Sequence, residues 1–288
     1  MDPKVNQQVH SPFPVMNQSF RFMGWGILLP SLSQRHLTLV VIMSVFLLGA
    51  CTTSQIKVDG VEANSSSLAS PISTSITMTP ATADANFPPQ FARLPRLNGK
   101  ATVVMVVQGT PITIEVDGTI APLTAGNFVD LVRRGVYDGV MFHRVIREPQ
   151  PFVVQGGDPT SKDTRIPPEQ LGTSGFIDPS SGKQRLIPLE ITPEDRSTPV
   201  YSQTFKQSGI TVPPKLRHTL GAVAMARSQF PDSASSQFYF ALGNLGFLDG
   251  EYAVFGYVKE GMEKVNTIQQ GDRIDSAKVT AGLENFNP

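Results

Sequence analysis

Short segments rich in β-branched and aromatic residues recur between residues 101 and 255, and the turns between them limit the fold to a mostly β architecture. Segments 101–108 and 111–116, broken at Gly109, predict a hairpin. Strands are also predicted over 140–146, 152–155, 221–226 and 236–242. The dipeptide Asp249-Gly250 predicts a two-residue hairpin turn between 247–248 and 252–255.

Two helices interrupt the strand pattern. Pro122 opens a segment with an apolar face that ends at two arginines followed by Gly135, which are ordinary helix boundaries. A second helix is predicted over 261–270. Many strands and two helices predict a closed or nearly closed antiparallel barrel that the helices cap.

The first 50 residues read as a targeting segment. A basic pair at Arg35 and His36 precedes the apolar run 37–48, which is too short for a comfortable membrane span. The only cysteine of the chain, Cys51, follows Leu48-Gly49-Ala50, a pattern that resembles a bacterial lipobox. We expect Cys51 to be the lipidated residue of a membrane-anchored lipoprotein; a plain cleaved signal and an uncleaved anchor are the alternatives.

The composition changes twice along the chain. Residues 51–90 are rich in Ser, Thr, Ala and Pro with little charge, which predicts a flexible tether. Residues 91–288 have the composition of a folded domain. Within that domain, the Pro- and Ser-rich stretch 159–214 reads as a long insert, and such irregular loops commonly carry surfaces for a protein partner.

Several classes of function are disfavoured by the residue inventory. Lys+Arg and Asp+Glu both number 24, so no basic excess supports nucleic-acid binding. One cysteine and two domain histidines, His143 and His218, match no usual metal-ligand spacing, and no nucleophile elbow is present. We therefore expect neither a metal nor a cofactor.

Polar residues within the predicted strands are the remaining candidates for chemistry. Period-two alternation places Arg144 on one face with Phe142 and Ile146. It likewise pairs Val153 with Gln155, and Gln237 with Tyr239 opposite Phe238. A cation and two amides beside apolar side chains suggest a groove that reads a peptide amide, although buried structural glutamines are equally common.

Taken together, these segments resemble cyclophilin-type peptidyl-prolyl cis–trans isomerases. The resemblance lies in FHRVI (142–146), FVVQGGD (152–158), AMAR (224–227), SSQFY (235–239), FLDG (247–250) and VFG (254–256). These motifs occur in register over about 101–283, apart from the longer stretch 159–214. Leu189-Glu190-Ile191, the insert and the ending Gly282-Leu283-Glu284-Asn285 are most similar to cyanobacterial and thylakoid-lumen members.

The resemblance implies an eight-stranded antiparallel barrel capped by two helices, with a shallow active-site groove on its outside. It implies that Arg144 and Gln155 are catalytic. It also implies a set of substrate-binding residues: Phe152, Val153, Ala226, Arg227, Gln237, Tyr239, Phe247, Leu248 and Tyr252. Val153, Tyr239, Phe247 and Tyr252 stand where the family often has Met, Phe, Trp and His.

The function implied is isomerisation of X–Pro bonds in Pro-containing polypeptides, which assists folding outside the cytoplasm, on the periplasmic or the thylakoid-lumen side. We expect a monomer, held at a membrane through lipidated Cys51. The alternative is a binding or assembly module of the same fold with weak or no catalysis, in which a protein partner contacts the 159–214 insert.

Overall fold

Eight antiparallel strands form one curled sheet in residues 88–288, the part of the chain that the computed structural model describes. Numbered in chain order, the strands are β1 (Arg96–Leu97), β2 (Lys100–Val107), β3 (Thr110–Asp117), β4 (Arg144–Ile146), β5 (Val153–Gly156), β6 (Ile177–Asp178), β7 (Lys183–Gln184), β8 (Glu190–Ile191), β9 (Val200–Tyr201), β10 (Ala222–Met225), β11 (Phe238–Ala241), β12 (Val254–Glu260), β13 (Ile274–Ala281) and β14 (Phe286–Asn287). The order in the sheet is β13-β2-β3-β12-β10-β11-β5-β4, and β1–β14, β6–β7 and β8–β9 form separate pairs.

The predicted first hairpin is confirmed as β2 and β3. Its burial alternates residue by residue, so that Val103, Met105, Ile112 and Ile114 point into the core while their neighbours face outward. This period of two is what β-branched residues on a sheet with one buried face produce.

The eight strands form a half-barrel, where the sequence predicts a closed or nearly closed barrel. The ladder has two edges, β13 and β4. The strand predicted over 140–146 begins only at Arg144, because Gly139 has φ +78° and 139–142 lacks a regular ladder. Backbone bonds such as Phe142 N–H to Asp272 O, 2.8 Å, nevertheless connect 139–142 to the start of β13.

The hairpin predicted at Asp249-Gly250 is wrong. Residues Gly246–Leu248 form a 3-10 turn instead of a strand, and β12 pairs with β10 and β3. The Leu248 carbonyl accepts the backbone N–H groups of both Glu251, at 3.0 Å, and Tyr252, at 3.2 Å. These local bonds use the donors that a ladder would need, and we refer to residues 245–252 as the wall turn.

Two α-helices accompany the sheet within residues 88–288, as predicted. The helix α1 (Pro122–Arg133) is buried over almost its whole length, and its Phe128 packs against Tyr137, Phe238 and Phe255 at ring-centroid distances of 4.9–5.5 Å. The helix α2 (Met262–Thr267) is shorter than the predicted 261–270, because the backbone of Ile268 leaves the helical region.

Parts of the predicted insert are integral to the domain. The Glu190 carboxylate, 1% exposed, accepts the backbone N–H of Leu123 at 3.1 Å and of Thr124 at 2.7 Å, at the start of α1. Tyr201 of β9 donates its hydroxyl to the same carboxylate at 2.9 Å. Burial raises the pKa of Glu190, and the hydrogen bonds from α1 oppose that rise.

The predicted targeting segment 1–50, Cys51 and most of the tether 51–90 lie outside the described residues. Among the helices in 88–288, none has the length and apolar character needed to cross a membrane.

Candidate active site

Three neighbouring strands bring Arg144, Gln155 and Tyr239 into one row across the outer face of the sheet. Arg144 of β4 pairs directly with Gln155 of β5, and Gln155 pairs with Tyr239 of β11. Directly opposed residues on adjacent strands lie about 4.5–5.5 Å apart at Cβ. The register therefore fixes a cation, an amide and a phenol side by side.

A chain of hydrogen bonds orients these side chains. Arg144 Nη1 donates to Gln155 Oε1 at 3.0 Å, and Gln155 Nε2 donates to Gln237 Oε1 at 3.1 Å. Gln237 Nε2 in turn donates to the backbone carbonyl of Ser174 at 2.8 Å. Each amide is thus held in one orientation, and the exposed Arg144 guanidinium keeps its other N–H groups for a ligand.

The row borders a shallow groove of about 160 Å³. The groove is lined by Arg144, Phe152, Val153, Gln155, Ala226, Arg227, Tyr239, Leu248 and Tyr252. Val153 and Tyr239 are almost fully buried beneath it, whereas Leu248 and Tyr252 come from the wall turn. The result is an apolar pocket with a cation at its edge.

The other two residues predicted to bind substrate lie beside this groove. Gln237 lines an adjacent, more polar groove of about 350 Å³, which shares Gln155, Ala226 and Arg227 with the first. Phe247 is 70% exposed and stacks on Phe152, with ring centroids 6.0 Å apart. The structure thus brings all eleven residues predicted to bind or act on a substrate to one surface.

Arg227 connects the sheet to the wall turn. Its Nε and Nη2 donate to the backbone carbonyl of Glu251 at 3.0 and 2.7 Å. Its guanidinium lies 4.6 Å from the ring centroid of Tyr252. Because these contacts use much of its hydrogen-bonding capacity, Arg227 fixes the boundary between the two grooves.

Sequence reasoning missed a buried network behind Tyr239. The Tyr239 hydroxyl lies 2.9 Å from Nε2 of His218, and Nδ1 of His218 lies 2.8 Å from Oδ1 of Asp249. A carboxylate at Nδ1 favours the tautomer in which Nε2 accepts from Tyr239. The three residues are far apart in sequence, so no local pattern could have signalled the contact.

Period-two alternation predicted three sets of residues that share a face of a strand, and two of the three predictions are correct. Val153 and Gln155 both line the groove, and Gln237 and Tyr239 face the two grooves while Phe238 lies in the core. Arg144 and Phe142 do not share a face, since Phe142 is fully buried in the core and the strand starts after it.

The two buried imidazoles make stability depend on pH. Burial lowers the pKa of both His143 and His218 below 6.5, and within residues 88–288 neither ring nitrogen of His143 has a hydrogen-bond partner. Such a group stays neutral when folded and takes up a proton on unfolding. Its contribution to stability is therefore complete above about pH 6.5 and is lost as the pH falls toward the folded pKa.

We expect the thermal unfolding midpoint to fall between about pH 7.5 and pH 5.5, and to fall less in His143→Leu, which removes one of these groups without stranding a partner. Circular dichroism melts of both proteins at several pH values measure the difference. Equal falls in the two proteins would contradict the assignment to His143.

Chemically, the site offers polarised donors beside an apolar pocket. No group of three or more His, Cys, Asp or Glu within 88–288 is arranged to hold a metal ion. The arrangement suits recognition of an apolar ring next to an amide, with Arg144 placed to stabilise partial negative charge.

Comparison with known proteins relates the chain to one family. Residues 102–283 match the sequence model of the cyclophilin type peptidyl-prolyl cis-trans isomerase family. The chain is 44% identical over 209 residues to a candidate thylakoid lumen peptidyl-prolyl cis-trans isomerase of Synechocystis sp., covering 69% of this chain and 52% of the relative. It is 40% identical over 223 residues to the chloroplastic peptidyl-prolyl cis-trans isomerase CYP38 of Arabidopsis thaliana, covering 70% and 47%.

Among solved structures, a cyclophilin-type isomerase of Cryptosporidium parvum is 23% identical with a TM-score of 0.47, covering 66% of this chain and 99% of that one. The chain spans about half the length of the first two curated relatives, 52% and 47%. The family match extends over well more than half of the chain and includes every residue that lines the groove. The chain therefore belongs to the cyclophilin-type peptidyl-prolyl cis-trans isomerase family.

Proposed function

We propose that the protein is a peptidyl-prolyl cis–trans isomerase that acts on Pro-containing polypeptides and assists their folding. The observation that carries the proposal is the row Arg144–Gln155 at the edge of an apolar groove that is about the size of one side chain. In this proposal, Arg144 donates a hydrogen bond to the nitrogen of a prolyl ring held in the groove.

The reaction needs no more than these groups. Rotation about an X–Pro bond faces a barrier of roughly 18–20 kcal/mol, because amide resonance must be broken, and the uncatalysed exchange takes tens to hundreds of seconds. In the twisted transition state the prolyl nitrogen regains its lone pair. A guanidinium that donates to this lone pair binds the transition state more strongly than the planar ground state, which is the requirement for catalysis.

The remaining residues hold the substrate while one end of the bond turns. Phe152, Val153, Tyr239, Leu248 and Gln155 line the groove. In the proposal the first four contact the prolyl ring, and Gln155 binds the substrate backbone. Gln155 also holds Arg144 through the 3.0 Å bond. Because no covalent bond breaks, neither a cofactor nor a metal enters this mechanism.

Exchange NMR on the full-length chain, purified in detergent, tests the function directly. An Ala-Pro-containing tetrapeptide is added in excess, and the cis–trans exchange rate is measured from cross-peaks, so that no coupling protease is needed. Exchange that rises linearly with protein concentration supports the proposal. Slow, unchanged exchange in the presence of the folded protein would overturn it.

A binding or assembly module is the second candidate. The hairpin β6–β7 and the segment after it leave Ile177 at 54% and Leu186 at 49% exposed, and both residues belong to the 159–214 stretch. In that case a prolyl peptide would shift NMR signals of the groove residues without any gain in the exchange rate.

We also propose an extracytoplasmic location, with Cys51 as the lipid anchor of a monomer. The lipobox-like Leu48-Gly49-Ala50-Cys51 supports the anchor. The names of two relatives, one of the thylakoid lumen and one chloroplastic, support a compartment outside the cytoplasm. A chain anchored in this way would hold the isomerase domain, proposed as residues 91–288, near a membrane surface.

Cys51→Ser should abolish incorporation of an alkyne-labelled fatty acid when the full chain is expressed in a bacterial host, since the chain has 1 cysteine. In-gel fluorescence after click labelling measures incorporation. Ser54→Ala, three residues away, serves as the control and should label like the wild type. Undiminished labelling of Cys51→Ser would contradict the lipobox assignment.

A further inference from the structure

A compact turn in the 159–214 stretch presents one buried aromatic side chain. The Thr204 and Gln207 side chains cap each other's backbone, with Thr204 N–H to Gln207 Oε1 at 2.8 Å and Gln207 N–H to Thr204 Oγ1 at 3.2 Å. Backbone bonds from Ser208 to Thr204 and from Ile210 to Phe205 close the turn. Phe205, only 6% exposed, is therefore held by a defined local structure.

Phe205 packs directly against the wall turn. Its backbone N–H donates to the Gly250 carbonyl at 2.9 Å. A Cβ atom added at Gly250 would lie 2.8 Å from Phe205 Cβ and 2.9 Å from Cγ, so only glycine allows this approach. Gly250 also has φ +78°, which disfavours other residues. Leu189 and Ile191 complete a small buried cluster around Phe205, together with Ala253.

The wall turn carries two side chains of the groove, Leu248 and Tyr252. The wall turn includes the 3-10 segment Gly246–Leu248 and ends before β12, so no strand ladder holds it. The Asp249 carboxylate connects the wall turn to His218, which lies just before β10. It contacts both the backbone N–H and the ring Nδ1 of His218. Phe205 supplies the apolar contact at the next residue, Gly250.

We infer that Phe205 is a positioning residue for the isomerase: through Gly250 it holds the wall turn, and thereby Leu248 and Tyr252, in place to receive the prolyl ring. Phe205 does not line the groove. This inference rests on the proposed function. It gives part of the long insert a role inside the domain, as a brace for the substrate pocket.

The test compares three variants of the full-length chain, Phe205→Ala, Phe205→Leu and Ile210→Ala. Ile210 is partly buried and packs on the same cluster, whereas the three atoms nearest to the Cβ position of Gly250 all belong to Phe205, so Ile210 is the control for lost packing in the cluster. We expect Phe205→Ala to raise KM about fivefold with kcat within about twofold, because a displaced wall weakens ground-state and transition-state binding alike. Phe205→Leu should lie between Phe205→Ala and the wild type, and Ile210→Ala should keep the wild-type KM.

The Leu248 methyl and Tyr252 ring signals in NMR spectra provide a second measurement. They should shift in Phe205→Ala and stay in place in Ile210→Ala. If Phe205→Ala fails to fold, as judged by its melt, Phe205→Leu against Ile210→Ala decides the question. Identical KM values and identical wall-turn signals in these two variants would overturn the inference.

Failure of the proposed function would look different. If the wild type accelerates no exchange, the dissociation constant of the prolyl peptide, obtained from the same NMR titration, replaces KM. A dissociation constant raised about fivefold in Phe205→Ala alone would then support the positioning role of Phe205, although catalysis is rejected. An unchanged dissociation constant would reject the positioning role as well.

Discussion

Replacing Arg144 with Ala should lower kcat/KM for prolyl isomerisation by about 100-fold while the domain stays folded. Loss of one preorganised donor to developing charge in a transition state typically costs 10²–10³-fold in rate. Arg144 is exposed, and among residues 88–288 its side chain forms one hydrogen bond, to Gln155, and lies 5.6 Å from the ring centroid of Phe152. Removing the Arg144 side chain therefore leaves no buried group without a hydrogen-bond partner, so the fall in kcat/KM should reflect lost catalysis and not lost folding.

The loss in Arg144→Ala should appear in kcat and not in KM. A donor that meets the nitrogen lone pair only in the twisted state contributes to kcat, so KM should change little. Arg144→Lys should recover only part of the loss. A lysine keeps the charge but lacks the planar guanidinium. With that group Arg144 donates to Gln155 Oε1 and has further N–H groups for a substrate.

Arg165→Ala is the matched control, since Arg165 is an exposed arginine paired with Asp163 at 2.7 Å and lines neither groove. It should leave kcat/KM unchanged, as measured by the same exchange experiment. A fall of less than about threefold in Arg144→Ala would show that Arg144 is not the transition-state donor. The catalytic assignment would then fail even if the wild type is active.

All groove residues except Tyr252 lie within the short motifs that carry the family resemblance, and the resemblance is what implied them. Period-two alternation also predicts that Val153 and Gln155 face outward together, as they do. Alternation fails at Phe142, where the regular ladder stops and Gly139 turns the chain. A backbone irregularity of this kind depends on the partner strand, which lies more than 100 residues away.

The contacts that hold the groove in place could not be predicted. His218 meets Asp249 and Tyr239 only because three separate segments converge behind β11. Asp249-Gly250 predicts a hairpin on local grounds, yet Phe205 packs on Gly250 and the segment forms a turn. In the His218 network and in the turn at Gly250, packing between separate segments determines the structure, and residue type alone does not indicate that packing.

Glu190 is the strongest example of such a long-range contact. The residue before α1, Ala121, provides no side-chain acceptor for the first N–H groups of the helix. Helices usually find this acceptor in their own N-cap residue. Here Glu190, 66 residues beyond Thr124, supplies both carboxylate oxygens from β8. The insert is thereby fastened to the most buried helix of the domain.

We expect Glu190→Ala to lower the free energy of unfolding by about 3 kcal/mol, because it removes the acceptor of the buried backbone N–H groups of Leu123 and Thr124. Each buried donor left unsatisfied costs about 1–3 kcal/mol. Glu190→Gln keeps one acceptor oxygen and should lose roughly half as much. Urea unfolding followed by circular dichroism measures the loss as a shift of the midpoint at constant slope.

Glu194→Ala provides the comparison, since Glu194 lies four residues away, is 60% exposed at its side chain and pairs with Arg217 at 3.1 Å. An exposed pair of this kind contributes at most about 1 kcal/mol, so its midpoint should move little. Equal shifts for the two alanine variants would mean that the carboxylate does not cap α1. A large shift confined to Glu190 would instead establish that this part of the insert belongs to the folding unit of the domain.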